Sequence, residues 1–332
     1  MTDYAVGLDV GSTYVKAMLL TADGQQVGEA RRRTPWRSLP GGRTEAAADA
    51  VLAEVADLLA EMGAPAELLP PARAAGESWG VAPRRVPPVL AGAVLTVAGH
   101  DHLVASVGAG CVAPTDLYSS MGTAEALVRV LDGTLDGPTR AALAATGVNA
   151  GAHLLPGRGV LLAGIKTGLL LRRLLQLVGV TDAAGRARLD ERVMALTEQD
   201  MAAHALHITG ADNSDGVLSV RADGDGLSPE LFFAVALEHC TQTLSELLGR
   251  MEAAVGPAER TVLSGGWSSM RSVRRARAAV LPGLQISDRT EGTAFGAGLI
   301  GAFAGLDQPA GRDLATFLGE LSSQSLSKGC SA

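Results

Sequence analysis

Apolar residues fall along the chain in short runs separated by glycine-rich breaks, and the spacing changes character several times. Residues 4–9 form a short apolar run with β-branched members that ends at Gly11-Ser12-Thr13. Residues 15–20 form a second run, followed by Asp23-Gly24, a strong two-residue hairpin signal. Residues 25–33 read as a third strand, so the pattern predicts three antiparallel strands joined by tight turns. Pro40-Gly41-Gly42 then breaks the chain. Across 45–62, Val51, Leu52, Val55, Leu58, Leu59 and Met62 recur at helical spacing and predict an amphipathic helix. The stretch 63–88 holds six prolines, which makes a central strand there improbable because proline cannot donate to a ladder. Residues 93–98 read as a buried strand, and 100–108 as the start of a helix.

The second part of the chain repeats the opening logic. Residues 116–119 lead into a turn at Gly122, and 125–130 form another strand, which suggests the first hairpin of a second, related domain. Helices are predicted over 164–178, within 186–205 and over 229–254. Residues 261–263 form a strand running into Ser264-Gly265-Gly266, followed by a basic helix at 268–281, a short strand at 284–286 and a glycine- and alanine-rich helix at 293–304. The serine-rich end, 321–332, is expected to fray.

Composition narrows the classes of function. A chain of 332 residues with 47% apolar side chains can form two folded domains. A net charge of -7 argues against nucleic-acid or anionic-membrane partners, which call for a basic patch. Cys111, Cys240 and Cys330 lie far apart, with neither the spacing of a zinc site nor that of a disulfide framework. No signal peptide or membrane-spanning run is visible, so a cytoplasmic protein is the default expectation.

Four segments carry candidate chemistry. In Asp9-Val10-Gly11-Ser12-Thr13, with Lys16 beyond, a carboxylate at a strand end can hold Mg2+ and the turn lets backbone amides approach phosphate. Ser120-Met121-Gly122-Thr123-Ala124 repeats a Gly-Thr turn after a strand. Gly265 and Gly266 stand at a strand-to-helix junction where a flat ligand or phosphate can come close. Asp101, in Gly99-His100-Asp101-His102, follows an apolar strand and opens a helix. It suits either an N-cap or a general base, and the flanking histidines point different ways on a helix, against a metal site. Taken singly, each segment is better read as an ordinary hairpin or helix start. Their order, however, is that of the actin-like ATPase fold.

The resemblance is specific to the FGGY carbohydrate kinases of that superfamily. YAVGLDVGSTYVKAMLLTADGQQV resembles their first phosphate motif, TVAGHDHLVASVGAG the segment with the catalytic aspartate, and LYSSMGTAEAL the second phosphate motif. LSGGWSSMRSVRRARA resembles their adenosine motif, TEGTAFGAGLIGA their closing helix, and PGGRTEAAADAVLAEVADLLAEM a first-domain segment. The resemblance implies an α/β protein of two actin-like (ribonuclease H-like) domains around an ATP cleft, with the first domain truncated. It divides the chain into 1–114, 115–306 and a tail at 307–332. It implies ATP and Mg2+ as cofactors and a sugar or polyol as substrate. Asp101 would be the catalytic base and Asp9 the Mg2+ ligand. Gly11, Ser12, Thr13, Lys16, Gly122 and Thr123 would surround the phosphates, on two turns facing one cleft, and Gly265 and Gly266 would admit adenosine.

Two departures stand out. Ser264 replaces the first glycine of the family's Gly-Gly-Gly, and the chain is on the order of 150 residues short after the helix ending near Met62. That length normally supplies another central strand and most of the sugar contacts. One edge of 4–10 is then expected to lack a partner unless 93–98 moves in beside it. An unpaired apolar edge invites aggregation or a homodimer. The rival expectation is a truncated, catalytically impaired homologue that binds nucleotide without phosphorylating sugar. A dehydratase-activating ATPase would need cysteines for an iron–sulfur cluster, which the three scattered cysteines do not supply.

Overall fold

The computed structural model describes residues 4–11, 14–21, 23–35, 37–38, 44–45, 48–61, 80–82, 92–203, 206–211, 217–289, 291–305 and 314–329. The chain divides into two compact units. The first comprises Met1–Val112, Leu154–Pro156 and Glu291–Ala332, and the second Ala113–His153 and Gly157–Thr290.

The first unit opens with the expected meander of β1 (Tyr4–Val10), β2 (Tyr14–Thr21) and β3 (Gln26–Arg33), paired antiparallel in that order. Gly24, at φ 80°, takes the left-handed position of the β2–β3 turn, where its amide bonds the Thr21 carbonyl at 2.9 Å. Alternation along β1 sends Val6 and Leu8 to one face, against Val15, Val55 and Leu58, the last two from α1 (Ala48–Glu61). Ala5, Gly7 and Asp9 fall on the other face. There they meet α9 (Gly292–Gly305), which also packs on α2 (Asp101–Gly108). Phe317 and Leu318 of α10 (Leu314–Gly329) complete that core, so a helix occupies much of the serine-rich end expected to fray. Two short ribbons remain, β4 (Arg37–Ser38) with β5 (Thr44–Glu45) and β6 (Gly80–Val81) with β7 (Val94–Leu95).

Expectations change here in two places. The run 93–98 yields only β7, whose Val94 is 39% exposed, because apolar content alone does not tell a buried strand from a surface ribbon. This strand pairs with β6 and not with β1, and among the described residues β1 has β2 as its sole partner. The glycine- and alanine-rich helix, placed by sequence with the second domain, packs on β1, β2 and α2 and so belongs to the first unit, as does the expected tail.

The second unit is built on a six-stranded mixed sheet. Its strands are β8 (Asp116–Met121), β9 (Glu125–Asp132), β10 (Asn149–Ala152), β11 (Arg158–Ile165), β14 (Arg260–Ser264) and β15 (Leu284–Ile286). The order is β10-β11-β9-β8-β14-β15, antiparallel through β8 and parallel beyond it. β12 (Leu206–Thr209) and β13 (Ser219–Ala222) form a separate ribbon. The helices are α3 (Gly137–Ala144), α4 (Thr167–Leu177), α5 (Ala183–Ala195), α6 (Glu198–Ala203), α7 (Pro229–Val255) and α8 (Arg271–Ala278). The expected helix at 164–178 begins only at Thr167, because Gly164 and Ile165 finish β11. The bounds of α7 follow from local chemistry. The Ser228 hydroxyl accepts from the Leu231 amide at 3.3 Å, Pro229 takes the first helical position, and Gly256 at φ 80° ends the helix. Among the described residues no helix is long and apolar enough to cross a membrane.

Gly7 makes the seating of α9 testable. A Cβ there would lie 1.8 Å from the Ala294 carbonyl oxygen and 2.7 Å from the Gly298 nitrogen, both backbone atoms that cannot swing away. Gly7→Ala is expected to cost about 1–3 kcal/mol in a urea titration. Gly28→Ala, in the neighbouring β3 with no atom within 4 Å of the added methyl, should stay within about 0.5 kcal/mol of the parent.

Candidate functional site

In the first unit, two of the charges singled out in the sequence, Asp9 and Lys16, come together with a third, Glu291. Asp9 and Lys16 are direct cross-strand partners in the β1–β2 register, so their side chains share the face toward α9. Lys16 Nζ lies 3.6 Å from Asp9 Oδ2 and 2.8 Å from the carboxylate of Glu291, the residue preceding α9. Burial pushes the Asp9 carboxyl above the usual aspartate range. Lys16 opposes that shift, and the neighbouring Asp101 charge adds to it. Burial also works against the Lys16 ammonium, but the Glu291 and Asp9 carboxylates outweigh it and hold its pKa above 10.5. Lys16 therefore contributes stability that is present below pH 10.5 and lost as pH rises through its elevated value. For Asp9 the sign is the reverse of the common carboxylate case. Its protonated form is favoured in the fold, and ionisation costs stability as pH rises through its raised pKa.

Gly11 closes the β1–β2 turn by donating its amide to the Tyr14 carbonyl at 3.0 Å, and its own carbonyl accepts the Thr34 hydroxyl at 2.7 Å. Ser12 and Thr13 lie outside the described residues.

Asp101 is the first residue of α2 and not its N-cap. His100 takes that position, with extended backbone and Nδ1 accepting the His102 amide at 3.3 Å. Asp101 accepts from the same amide at 2.8 Å, lies 3.0 Å from His100 Nδ1 and keeps about half of its side-chain surface in solvent. A carboxylate at a helix N-terminus is favoured by the helix dipole. Burial lowers the pKa of His102, partly countered by Asp101, so its imidazole is held toward the neutral form. Among the described residues no group of three or more His, Cys, Asp or Glu has the arrangement to hold a metal ion by itself. Mg2+ bound with a nucleotide asks for less, one or two carboxylates plus phosphate oxygens, and the strand-end carboxylate of Asp9 fits that demand.

In the second unit, Gly122 and Thr123 form the exposed turn between β8 and β9, closed by the Gly122 amide on the Ala124 carbonyl at 2.9 Å. The start of α4 grips this turn. The Leu169 amide donates to the Thr123 carbonyl at 2.8 Å, and a Cβ on Gly168 would fall 1.8 Å from the Gly122 carbonyl oxygen. Gly265, at φ 96°, presses on the backbone of Met121, where a Cβ would meet the carbonyl oxygen at 2.4 Å. Packing within the chain therefore already requires glycine at Gly265, whereas the space beside Gly266 is open. Ser264 shares a 2.6 Å hydrogen bond with the buried Tyr118 hydroxyl.

Sequence reasoning passed over several contributors. Glu291, Glu125, Gly168 and Arg277 all make contacts that hold these arrangements, and all but Gly168 lay inside segments that resemble the family's motifs. A cavity of about 440 Å³ among α5, α6, α7 and α8, lined by Val193, Leu237, Thr241 and Arg275, was not anticipated, and none of the turn residues line it.

No protein-family model and no curated protein sequence matches the chain. Solved structures do. A xylulose kinase from Rhodospirillum rubrum matches 98% of this chain and 99% of its own, at TM-score 0.72 and 14% identity. The Plasmodium falciparum glycerol kinase, solved with ADP, matches over 99% and 96% at TM-score 0.73 and 9% identity. A gluconate kinase from Lactobacillus acidophilus matches over 97% and 92% at TM-score 0.73 and 10% identity. The chain thus has the mixed α/β fold of these xylulose, glycerol and gluconate kinases.

The Asp9–Lys16–Glu291 cluster predicts its own titration. In Lys16→Met the main influence lowering the Asp9 pKa is gone, so the Asp9 midpoint, read by NMR of the side-chain carboxyl, should move upward. An unchanged or lower midpoint would show that Lys16 does not govern Asp9.

Proposed function

We propose that this protein transfers the γ-phosphoryl group of ATP to a hydroxyl of a sugar, polyol or sugar acid. The observation that carries the reading is the half-exposed Asp101 carboxylate at the head of α2, in the same unit as the Asp9–Lys16–Glu291 cluster, on a fold shared with xylulose, glycerol and gluconate kinases. The acceptors those names imply differ in length and charge, but each presents hydroxyl groups.

In the proposed reaction Asp101 takes the proton of the acceptor hydroxyl as its oxygen attacks the γ-phosphorus and the bond to ADP breaks. General-base assistance of this kind is typically worth ~10²–10⁴-fold. Asp9 would hold Mg2+, which when bound would supply positive charge to offset the negative charge that develops on the phosphoryl group. The ionised form of Asp9 is costly in the bare fold, and a bound cation would relieve that cost. Lys16, the turn at Gly11, Ser12 and Thr13, and the turn at Gly122 and Thr123 are assigned to the phosphates. Gly266, with open space beside its Cα, is assigned to the adenosine.

This reading takes the first unit to be shortened relative to FGGY kinases. It also takes the cytoplasm as the setting, where ATP is available and the buried thiols Cys111 and Cys240 stay reduced.

The test is acceptor-stimulated ADP release, measured over a panel of pentoses, polyols and sugar acids. Asp101→Asn is expected to lower acceptor-dependent turnover by about 10²–10⁴-fold while leaving MgATP affinity within about twofold, because the amide keeps the shape but cannot take a proton. Full turnover by this variant would remove Asp101 from the mechanism. MgATP binding without stimulation by any acceptor would favour a nucleotide-binding homologue that transfers nothing.

A further inference from the structure

Glu125 and Arg277 are both fully buried and lie 152 residues apart in sequence, yet they form a bidentate pair. Arg277 Nε donates to Glu125 Oε1 at 2.8 Å, and Nη2 to Oε2 at 2.6 Å. Two further donors reach the same carboxylate, the Thr167 hydroxyl at 2.7 Å and the Ser119 hydroxyl at 3.3 Å. The third nitrogen of Arg277 donates to Thr241 Oγ1 at 2.6 Å. Every partner is thus drawn from a different element: β8, β9, α4, α7 and α8.

The placement of these partners is what matters for function. Glu125 is the first residue of β9, directly after the turn at Gly122 and Thr123. Thr167 is the first residue of α4, directly before Gly168 and Leu169, which grip that turn. Ser119 lies just before the turn on β8. Arg277 is brought to the pair by α8, whose N-terminus is itself fixed by Asp190, which accepts from the Arg271 amide at 2.7 Å and the Ser272 amide at 2.9 Å. Removing two charges from water is expensive, and a buried pair is a poor way to gain net stability. What such a pair does well is fix geometry, because a fully bonded carboxylate tolerates little displacement of its donors.

We propose that the Glu125–Arg277 pair, acting through Thr167, is the positioning device for the Gly122–Thr123 turn. It holds α4 against the turn so that the turn's backbone keeps one conformation for phosphate. Neither side chain touches the nucleotide. The inference rests on the proposed function to the extent that the turn binds phosphate.

Thr167→Val tests it with the least damage, because the change keeps the side-chain shape and deletes one hydroxyl. Two readouts apply to the full chain, hydrogen exchange of the Leu169 amide and MgATP affinity by calorimetry. The expected result is Leu169 exchange about tenfold faster and MgATP affinity about tenfold weaker, with exchange of the Val128 amide in the sheet centre unchanged. Thr167→Ser, which keeps the hydroxyl, is expected to restore both. Should Thr167→Val fold poorly, the charge-free double variant Glu125→Gln with Arg277→Met gives a second route to the same two readouts and the same expected changes. Parent-like Leu169 exchange or MgATP affinity in Thr167→Val overturns the positioning role alone. Equal acceleration at Leu169 and Val128 also overturns it, since the pair would then be a general stabiliser. If the parent protein binds no MgATP, the proposed function falls and the positioning role falls with it.

Discussion

The second unit is organised around one buried charge pair. Glu125 and Arg277 sit with no solvent exposure, and the cost of desolvating them is tolerable only because the carboxylate accepts from three side chains and the guanidinium finds a third acceptor in Thr241. Five elements therefore contribute to one hydrogen-bonded cluster, and displacing any of them breaks at least one bond in it. The apolar cores packed along α7 supply the driving force, one around Leu170, Leu174, Phe233 and Val273, the other around Leu127, Leu161, Leu244 and Met251. Apolar contact is non-directional and would accept small slips of α4 or α8, which the pair forbids.

The first unit relies on close approach of backbone to backbone. Gly7 against Ala294 and Gly298, and Gly108 against Gly292 and Gly296, let α9 lie nearly in contact with β1 and α2. That proximity brings Glu291, just ahead of α9, to Lys16 and Asp9. A side chain at Gly7 would lift the helix and with it the third member of the charge cluster. The glycines of TEGTAFGAGLIGA thus serve electrostatics as well as packing, since the helix they seat determines how strongly Lys16 is held.

Much of this was legible in the sequence because the signals were local. The β1–β2–β3 meander followed from two apolar runs and Asp23-Gly24, and α7 from the run of apolar positions within 229–254. Long-range facts were not legible. Nothing near Glu125 in sequence announces Arg277, which reads as one more solvated arginine on a basic helix. Likewise Glu291 becomes part of a charge cluster only once α9 has docked on β1. The run 93–98 misled because apolar character was taken for burial, while its ladder partner is only the two-residue β6. Gly265 was read as space for a ligand, whereas its φ of 96° and its contact with Met121 give the chain its own reason for that glycine. Asp101 was read as N-cap or base, and the cap position falls to His100, while the Asp101 carboxylate accepts from the same His102 amide.

The central claim is that this fold moves a phosphoryl group from ATP to a hydroxyl. The most direct measurement is 31P NMR of the full chain incubated with ATP, Mg2+ and a pooled set of sugars, polyols and sugar acids. The account predicts growth of ADP resonances together with a new phosphomonoester signal in proportion. A spectrum that gains only ADP and inorganic phosphate, or that does not change at all, would contradict it.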